Sequence, residues 1–121
     1  MGTVADLVTL REITAETVRA VVSLSVSESQ NRFVAPNAVS LSQALFARTA
    51  WYRAIYLESE PVGFVMLADD SLIDPVPDNP EIYVWRFMVD ARHQRKGIGR
   101  AAMLLVIEQA RSRRIFNTLK L

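Results

Sequence analysis

The sequence predicts an α/β fold, a mixed sheet packed with helices, and three observations carry that expectation. Runs rich in β-branched and aromatic residues recur at 8–13, 51–57, 62–68 and 82–90. Apolar residues at helical spacing fill 15–26, 38–48 and 99–113. Between the run at 82–90 and the helix at 99–113 stands a short basic loop carrying Gly97 and Gly99. A chain of 121 residues, 50% of them hydrophobic, reads as one domain over 1–121, able to bury roughly two-thirds of its unfolded surface in one core.

Each element has its own signal. Val8-Thr9-Leu10-Arg11-Glu12-Ile13 alternates apolar and polar as a half-buried first strand should. Thr14 stands where a helix cap belongs, and Val18, Val21, Val22 and Leu24 make residues 15–26 amphipathic. After the polar break Ser27-Glu28-Ser29-Gln30-Asn31-Arg32, Pro36-Asn37 opens a second helix over 38–48 with Val39, Leu41, Leu45 and Phe46 as its apolar side. Residues 51–57 and 62–68 flank Glu58-Ser59-Glu60-Pro61 and read as an antiparallel hairpin. Residues 69–81, with several acids and three prolines, form a solvated connection. The strand 82–90 carries Trp85, Phe87, Met88 and Val89, a set suited to burial on both faces. The helix 99–113 is apolar almost all round from Ala101 to Ile107 and should pack deep, and Ile115 to Leu121 reads as a final strand.

Charge and composition exclude several classes of function. A net charge of +1 leaves no general footprint for nucleic acid, and the basic residues at 92–100 and 111–114 lack interleaved aromatics. With no cysteine there is neither a disulfide nor a thiolate zinc site. The first residues carry no charged n-region followed by an apolar stretch. No membrane partner, no metal and a cytoplasmic location are therefore expected.

The stretch from Val84 to Ala101 runs strand, basic loop, helix start, an arrangement that binds phosphate. Glycine lets successive N–H groups turn toward one anion, and the helix that follows adds its positive end. Arg92, Arg95, Lys96 and Arg100 surround the same turn. Spacing separates the possible loops. A Walker loop needs four residues between its glycines and a Lys-Ser/Thr after the second, whereas one residue separates Gly97 from Gly99 and Arg100-Ala101 follows. A dinucleotide fingerprint needs a third glycine where Ala102 stands. Gln94-Arg95-Lys96-Gly97-Ile98-Gly99 fits instead a Gln/Arg-x-x-Gly-x-Gly/Ala signature behind an apolar strand.

That signature resembles the coenzyme A loop of the GNAT superfamily of acyl-CoA N-acyltransferases. Trp85-Arg86-Phe87-Met88-Val89-Asp90, Met103 to Glu108, Gln30 to Asn37 and Pro61 to Leu67 are similar to the bacterial diamine or spermidine acetyltransferase branch, so the resemblance covers nearly the whole chain. It implies acetyl transfer from acetyl-CoA to a primary amine of a small molecule, a diamine or polyamine among them. It also implies that Gln94, Arg95, Lys96, Gly97, Ile98, Gly99 and Arg100 hold the diphosphate, and that backbone groups of Phe87, Met88 and Val89 meet the pantetheine arm and thioester. The two early helices would wall the amine cleft. Glu28 and Glu81 are the carboxylates expected to contact substrate and to act as a water-mediated base. His93, the single histidine, is expected to be an exposed loop residue.

Relatives of this kind continue past the fifth strand with another helix, two strands and a tyrosine-bearing segment, while this chain ends at Leu121. The expectation is therefore a GNAT-like fold lacking its C-terminal helix and strands. A bare strand edge would favour a homodimer. A non-catalytic acyl-CoA-binding or interaction domain is the alternative reading.

Overall fold

The computed structural model describes residues 3–27, 35–116 and 118–121. A short helix, α1 (Val4–Leu7), leads into strand β1 (Val8–Arg11), followed by helices α2 (Val18–Val22) and α3 (Asn37–Ala44). Strands β2 (Ala50–Leu57), β3 (Glu60–Asp69) and β4 (Ile82–Val89) come next, then helix α4 (Ile98–Ser112). The four strands lie in chain order, each antiparallel to the next. A single parallel bridge, Tyr83 to Lys120, adds the mixed element.

Three layers result, because the sheet alternates its side chains between two apolar faces. On one face Ile55, Val62, Val65, Leu67 and Ile82 meet Ile98, Ala101, Ala102, Val106 and Ala110 of α4. On the other, Ala54, Tyr56, Phe64, Met66 and Met88 meet Val21, Leu24 and Val26, with Leu41 and Ala44 of α3 beside them. The central strand β3 is buried from Val62 through Asp69, which is why Val62 to Ala68 reads as an unbroken small and apolar run. Alanines at 101, 102 and 110 let α4 lie close to the sheet.

Several elements are shorter than their periodicity suggests. The helix expected over 15–26 is formed only at Val18–Val22. Thr14 starts a turn instead: its N–H donates to Thr17 Oγ1 and its carbonyl accepts from both Thr17 and Val18. Past Ser23 the chain leaves the helix because the Ser25 N–H donates to Asp90 Oδ1 at 3.0 Å and the Ala91 N–H donates to the Ser25 carbonyl at 2.8 Å. With three β-branched valines among its five residues, the helix has little intrinsic propensity to resist.

The helix expected over 38–48 ends at Ala44, and its inner face is Asn37, Ser40, Leu41 and Ala44. Leu45 and Phe46, expected as apolar packing, are 79% and 89% exposed. Tight turns from Phe46 to Gln43 and from Ala50 to Ala47 swing the chain straight into β2 and carry those side chains outward. Trp85 and Phe87 of β4 are only partly buried, because β4 is the outermost strand. Among the described residues the final strand amounts to two hydrogen bonds, Val84 N–H to the Lys120 carbonyl and Lys120 N–H to the Ile82 carbonyl.

The end of α4 is tied back to the sheet by a buried ion pair. Asp69, 1% exposed, accepts from Arg113 Nε at 3.0 Å and from the backbone and hydroxyl of Ser71. Among the described residues no helix is long and apolar enough to cross a membrane.

Candidate functional site

Strand β4 hands the chain to the glycine loop, and hydrogen bonding decides which of its backbone groups are available. Asp90 N–H bonds the Val62 carbonyl at 2.7 Å, toward β3. Alternation along an antiparallel strand then turns Met88 inward as well and leaves the N–H and C=O of Phe87 and Val89 on the outer edge. Two further observations agree. A Cβ built on Gly63 would stand 2.4 Å from the Met88 carbonyl oxygen, and Gln94 Nε2 donates to the outward Val89 carbonyl at 3.0 Å. Farther up the edge, Val84 and Ile82 face outward to Lys120.

Outward residues on both sides of an odd-numbered gap require a bulge. The register with β3 shifts between Met66 and Leu67, opposite Arg86 and Val84, so Trp85 is the extra residue. Trp85 and Arg86 consequently both lie on the α2 and α3 side, Trp85 against that core and Arg86 donating to Gln43 of α3 at 3.2 Å.

Below the edge the loop has the backbone shape of an anion cradle. Arg95 and Gly97 have φ of +64° and +82°, so the backbone curls with its N–H groups on one side. The first helical hydrogen bond of α4 is Ala101 N–H to the Gly97 carbonyl, and no side chain caps the helix. The N–H groups of Ile98, Gly99 and Arg100 are therefore free to face a ligand at the positive end of a 15-residue helix. A Cβ at Gly97 would meet nothing within 4 Å, so open space lies before the turn. At Gly99 it would make ordinary contact with Val89 and Phe87 at 3.7 and 3.9 Å, so α4 packs close to β4 here with room for a methyl. Arg95, Lys96 and Arg100 are exposed around the turn, and the Ile98 side chain is buried in the core. Three unpaired donors, a helix end and three cations suit a diphosphate, the part of coenzyme A this loop would hold.

Two loop residues have tasks of their own. Gln94 anchors the loop to Val89. Arg92, expected among the cations at the turn, is bound to Asp90 at 2.9 Å. Burial by itself would raise the Asp90 carboxyl, but the Ser25 N–H outweighs it together with the Arg92 side chain and backbone, and the carboxyl ends below its ordinary range. His93, expected to be exposed, has a side chain only 12% exposed with Nε2 3.4 Å from Glu60 Oε1. It joins the loop to the start of β3.

Beside Met88 opens a cavity of about 370 Å³ lined by Val22, Leu24, Ser25, Val26 and Asn37. The segment that walls it is the one pinned to Asp90 and Ala91, so cavity, strand edge and glycine loop share one end of the sheet. Asn37 reaches across, donating to the Val21 carbonyl at 2.8 Å and lying 3.7 Å from Met88 Sδ. Glu28 lies outside the described residues. Glu81 stands just before β4, at the end of the strand away from the loop, and pairs with Lys120 at 2.9 Å. The 8 residues of β4 separate it from the glycine turn, a span of roughly 25 Å. Among the described residues there is no cluster of three or more metal-ligating side chains.

On this strand sequence reasoning claimed only the backbone of Phe87, Met88 and Val89, and it singled out neither Arg86 nor Asn37. The available signal was a cation inside an apolar strand and an amide at a helix start.

Comparison with known proteins agrees with this geometry. The profile of the Acetyltransferase (GNAT) family matches residues 11–121, and the chain belongs to that family. It is 26% identical over 101 residues to a spermine/spermidine N(1)-acetyltransferase of Bacillus subtilis strain 168, covering 84% of this chain and 66% of that protein. A probable spermine N(1)-acetyltransferase of Bacillus subtilis subsp. natto is 25% identical over the same shares. The chain thus spans just under two-thirds of the length of these relatives. In fold it is similar to an acetyltransferase from Thermus thermophilus, with TM-score 0.55, 13% identity and coverage of 84% of this chain and 68% of that one. An aminoglycoside acetyltransferase from an uncultured soil metagenomic sample, crystallised with sisomicin, gives TM-score 0.57 at 18% identity, covering 96% and 77%.

Proposed function

We propose, from membership of the acetyltransferase (GNAT) family, that this chain transfers an acetyl group from acetyl-CoA to a primary amine of a small molecule. The observation that carries the reading is the trio of free N–H groups at Ile98, Gly99 and Arg100, continuous with the outward Phe87 and Val89 backbone at the loop end of β4, below the stretch that Lys120 bonds. Acetyl-CoA supplies the acetyl group as a thioester. The loop N–H groups and Arg95, Lys96 and Arg100 hold the diphosphate, and the Phe87 and Val89 N–H groups are the edge donors for the arm and the thioester carbonyl. The Met88 amide is committed to β3 and takes no such part.

The amine enters from the α2 and α3 side through the cavity beside Met88, whose lining is largely apolar with Ser25 and Asn37 among its polar groups. Spermine and spermidine, which the Bacillus relatives are named for, are the polyamines to try first. Proton removal falls to a carboxylate through water, and Glu28 is the one proposed for it; Glu81, expected to share that role, is paired with Lys120 at the far end of β4 and stands too far from Met88 to serve. Glu28→Gln should then lower kcat and leave acetyl-CoA affinity unchanged, whereas Glu81→Gln should change neither.

The test has two steps. Calorimetric titration with acetyl-CoA and desulfo-CoA should give saturable binding of both, and thiol release should then follow on adding an amine. Saturable binding without release from any amine would leave a non-catalytic acyl-CoA-binding domain in place of an enzyme. Absence of binding by the folded protein would remove the loop assignment.

A further inference from the structure

The wall between α3 and β4 carries polar groups that the acetyl-transfer chemistry does not use. Arg86 projects from the β4 bulge toward α3, with one guanidinium NH₂ on its neighbour's carbonyl, Trp85 O at 3.0 Å, and the other on Gln43 Oε1 at 3.2 Å. Both partners are neutral. Its Nε is buried with no partner, and the side chain pairs with no carboxylate among the described residues. One turn before Gln43 on the same helix is Ser40, 1% exposed, whose hydroxyl is likewise buried and unpartnered. One turn earlier again is Asn37, which touches Met88. The row Asn37, Ser40, Gln43 therefore lies along Met88 to Arg86, with the cavity at one end and the guanidinium at the other.

Unmet buried donors are costly, and the Arg86 guanidinium, half-buried and 5.8 Å from the centre of the Trp85 ring, has no counter-charge among the described residues. What would satisfy both Arg86 Nε and the Ser40 hydroxyl is an acceptor-only group with negative charge. A carboxylate fits, because its planar oxygens match the planar donors of a guanidinium. The described residues lining the cavity include no acid, so among them nothing is set to pair with a polycation.

Resting on the acetyltransferase reading, we infer that Arg86, with Ser40, recognises a carboxylate on the acceptor, so that the preferred substrate is an aminocarboxylate whose amine enters beside Met88 while its carboxylate is held at the β4 bulge. Arg86 is then a specificity-determining residue.

The experiment compares aminocarboxylates with their decarboxylated counterparts: β-alanine with ethylamine, γ-aminobutyrate with propylamine, L-lysine with cadaverine, and spermidine as the polycation. Thiol release is measured on the wild type, Arg86→Gln, Arg86→Lys and Ser40→Ala, each checked for an unchanged thermal midpoint and acetyl-CoA affinity. The wild type should favour each aminocarboxylate by at least about tenfold in kcat/KM, the value of one charge-assisted contact. Arg86→Gln should erase the preference through KM with kcat kept, Arg86→Lys should restore part of it, and Ser40→Ala should lower it severalfold. A purely structural Arg86 would change midpoint or kcat for all amines alike and leave the ratio intact. Equal use of both members of each pair, or better use of spermidine, overturns the carboxylate assignment while acetyl transfer stands. No release from any amine by protein that binds acetyl-CoA overturns the acetyltransferase reading, and this inference with it.

Discussion

Gly97→Ala tests the anion cradle because the two tasks of that glycine have separable sizes. Its φ of +82° lies in the left-handed region, where an L side chain costs about 1–2 kcal/mol. No protein atom stands within 4 Å of the added Cβ, so that strain is the whole stability cost expected, read as a lower urea midpoint. Binding loses more. The methyl would stand in the mouth of the turn, and displacing the diphosphate from a single N–H forfeits about 1.5–3 kcal/mol for a hydrogen bond to a charged group, or roughly tenfold to hundredfold in Kd.

Gly97→Asn separates strain from obstruction. Asparagine tolerates the left-handed region, so it should recover most of the lost stability while still failing to bind acetyl-CoA well. Gly99→Ala should behave in the opposite way. Its Cβ meets Val89 and Phe87 at 3.7 and 3.9 Å, ordinary contact, and alanine favours a helix by about 0.5–1 kcal/mol over glycine. Affinity should stay within about threefold of wild type, a shift of less than 1 kcal/mol. Normal acetyl-CoA binding by both Gly97 variants in a calorimetric titration would refute the cradle.

Gly63→Ala should destabilise by about 3 kcal/mol, since a Cβ 2.4 Å from the Met88 carbonyl forces two strands apart; urea unfolding reads the loss, and acetyl-CoA affinity should fall with it as the Val89 edge moves. Asp69→Ala removes the partner of Arg113, whose side chain is 27% exposed, together with the acceptor of Ser71, and should cost about 1–3 kcal/mol by the same assay. Asp90 titrates at its ordinary 3.8 when unfolded and lower when folded, so its contribution is present above that value and is lost as pH falls through the folded one. Asp90→Asn should accordingly show a flatter loss of stability than wild type below about pH 4, and an identical acid limb would show that the Ser25 and Arg92 contacts do not hold the carboxylate.

What the sequence determined by itself was the chemistry of short, local patterns. The Gln94 to Gly99 spacing marked the strand-to-helix turn with its left-handed Gly97, since glycine backbone freedom and a helix start are properties of neighbours in the chain. Strands β2, β3 and β4 and helix α4 were legible to within a residue or two because each buries a long apolar set whose period is its own signature. The early helices were not. Val18–Val22 stops where Asp90, 65 positions along the chain, captures Ser25, and no window of local sequence contains both groups.

Burial followed the same division. Leu45 and Phe46 matched the helical period yet face solvent, because the turn into β2 outranks a pattern worth only its own packing. Only tertiary structure decided which backbone groups of Phe87 to Val89 reach the outer edge, a matter of pairing with β3 and of a bulge at Trp85. Only tertiary structure brought Arg86 against the inner row of α3. A periodic sequence can say which face of a strand is buried, but the partner across that face is chosen by how the layers close.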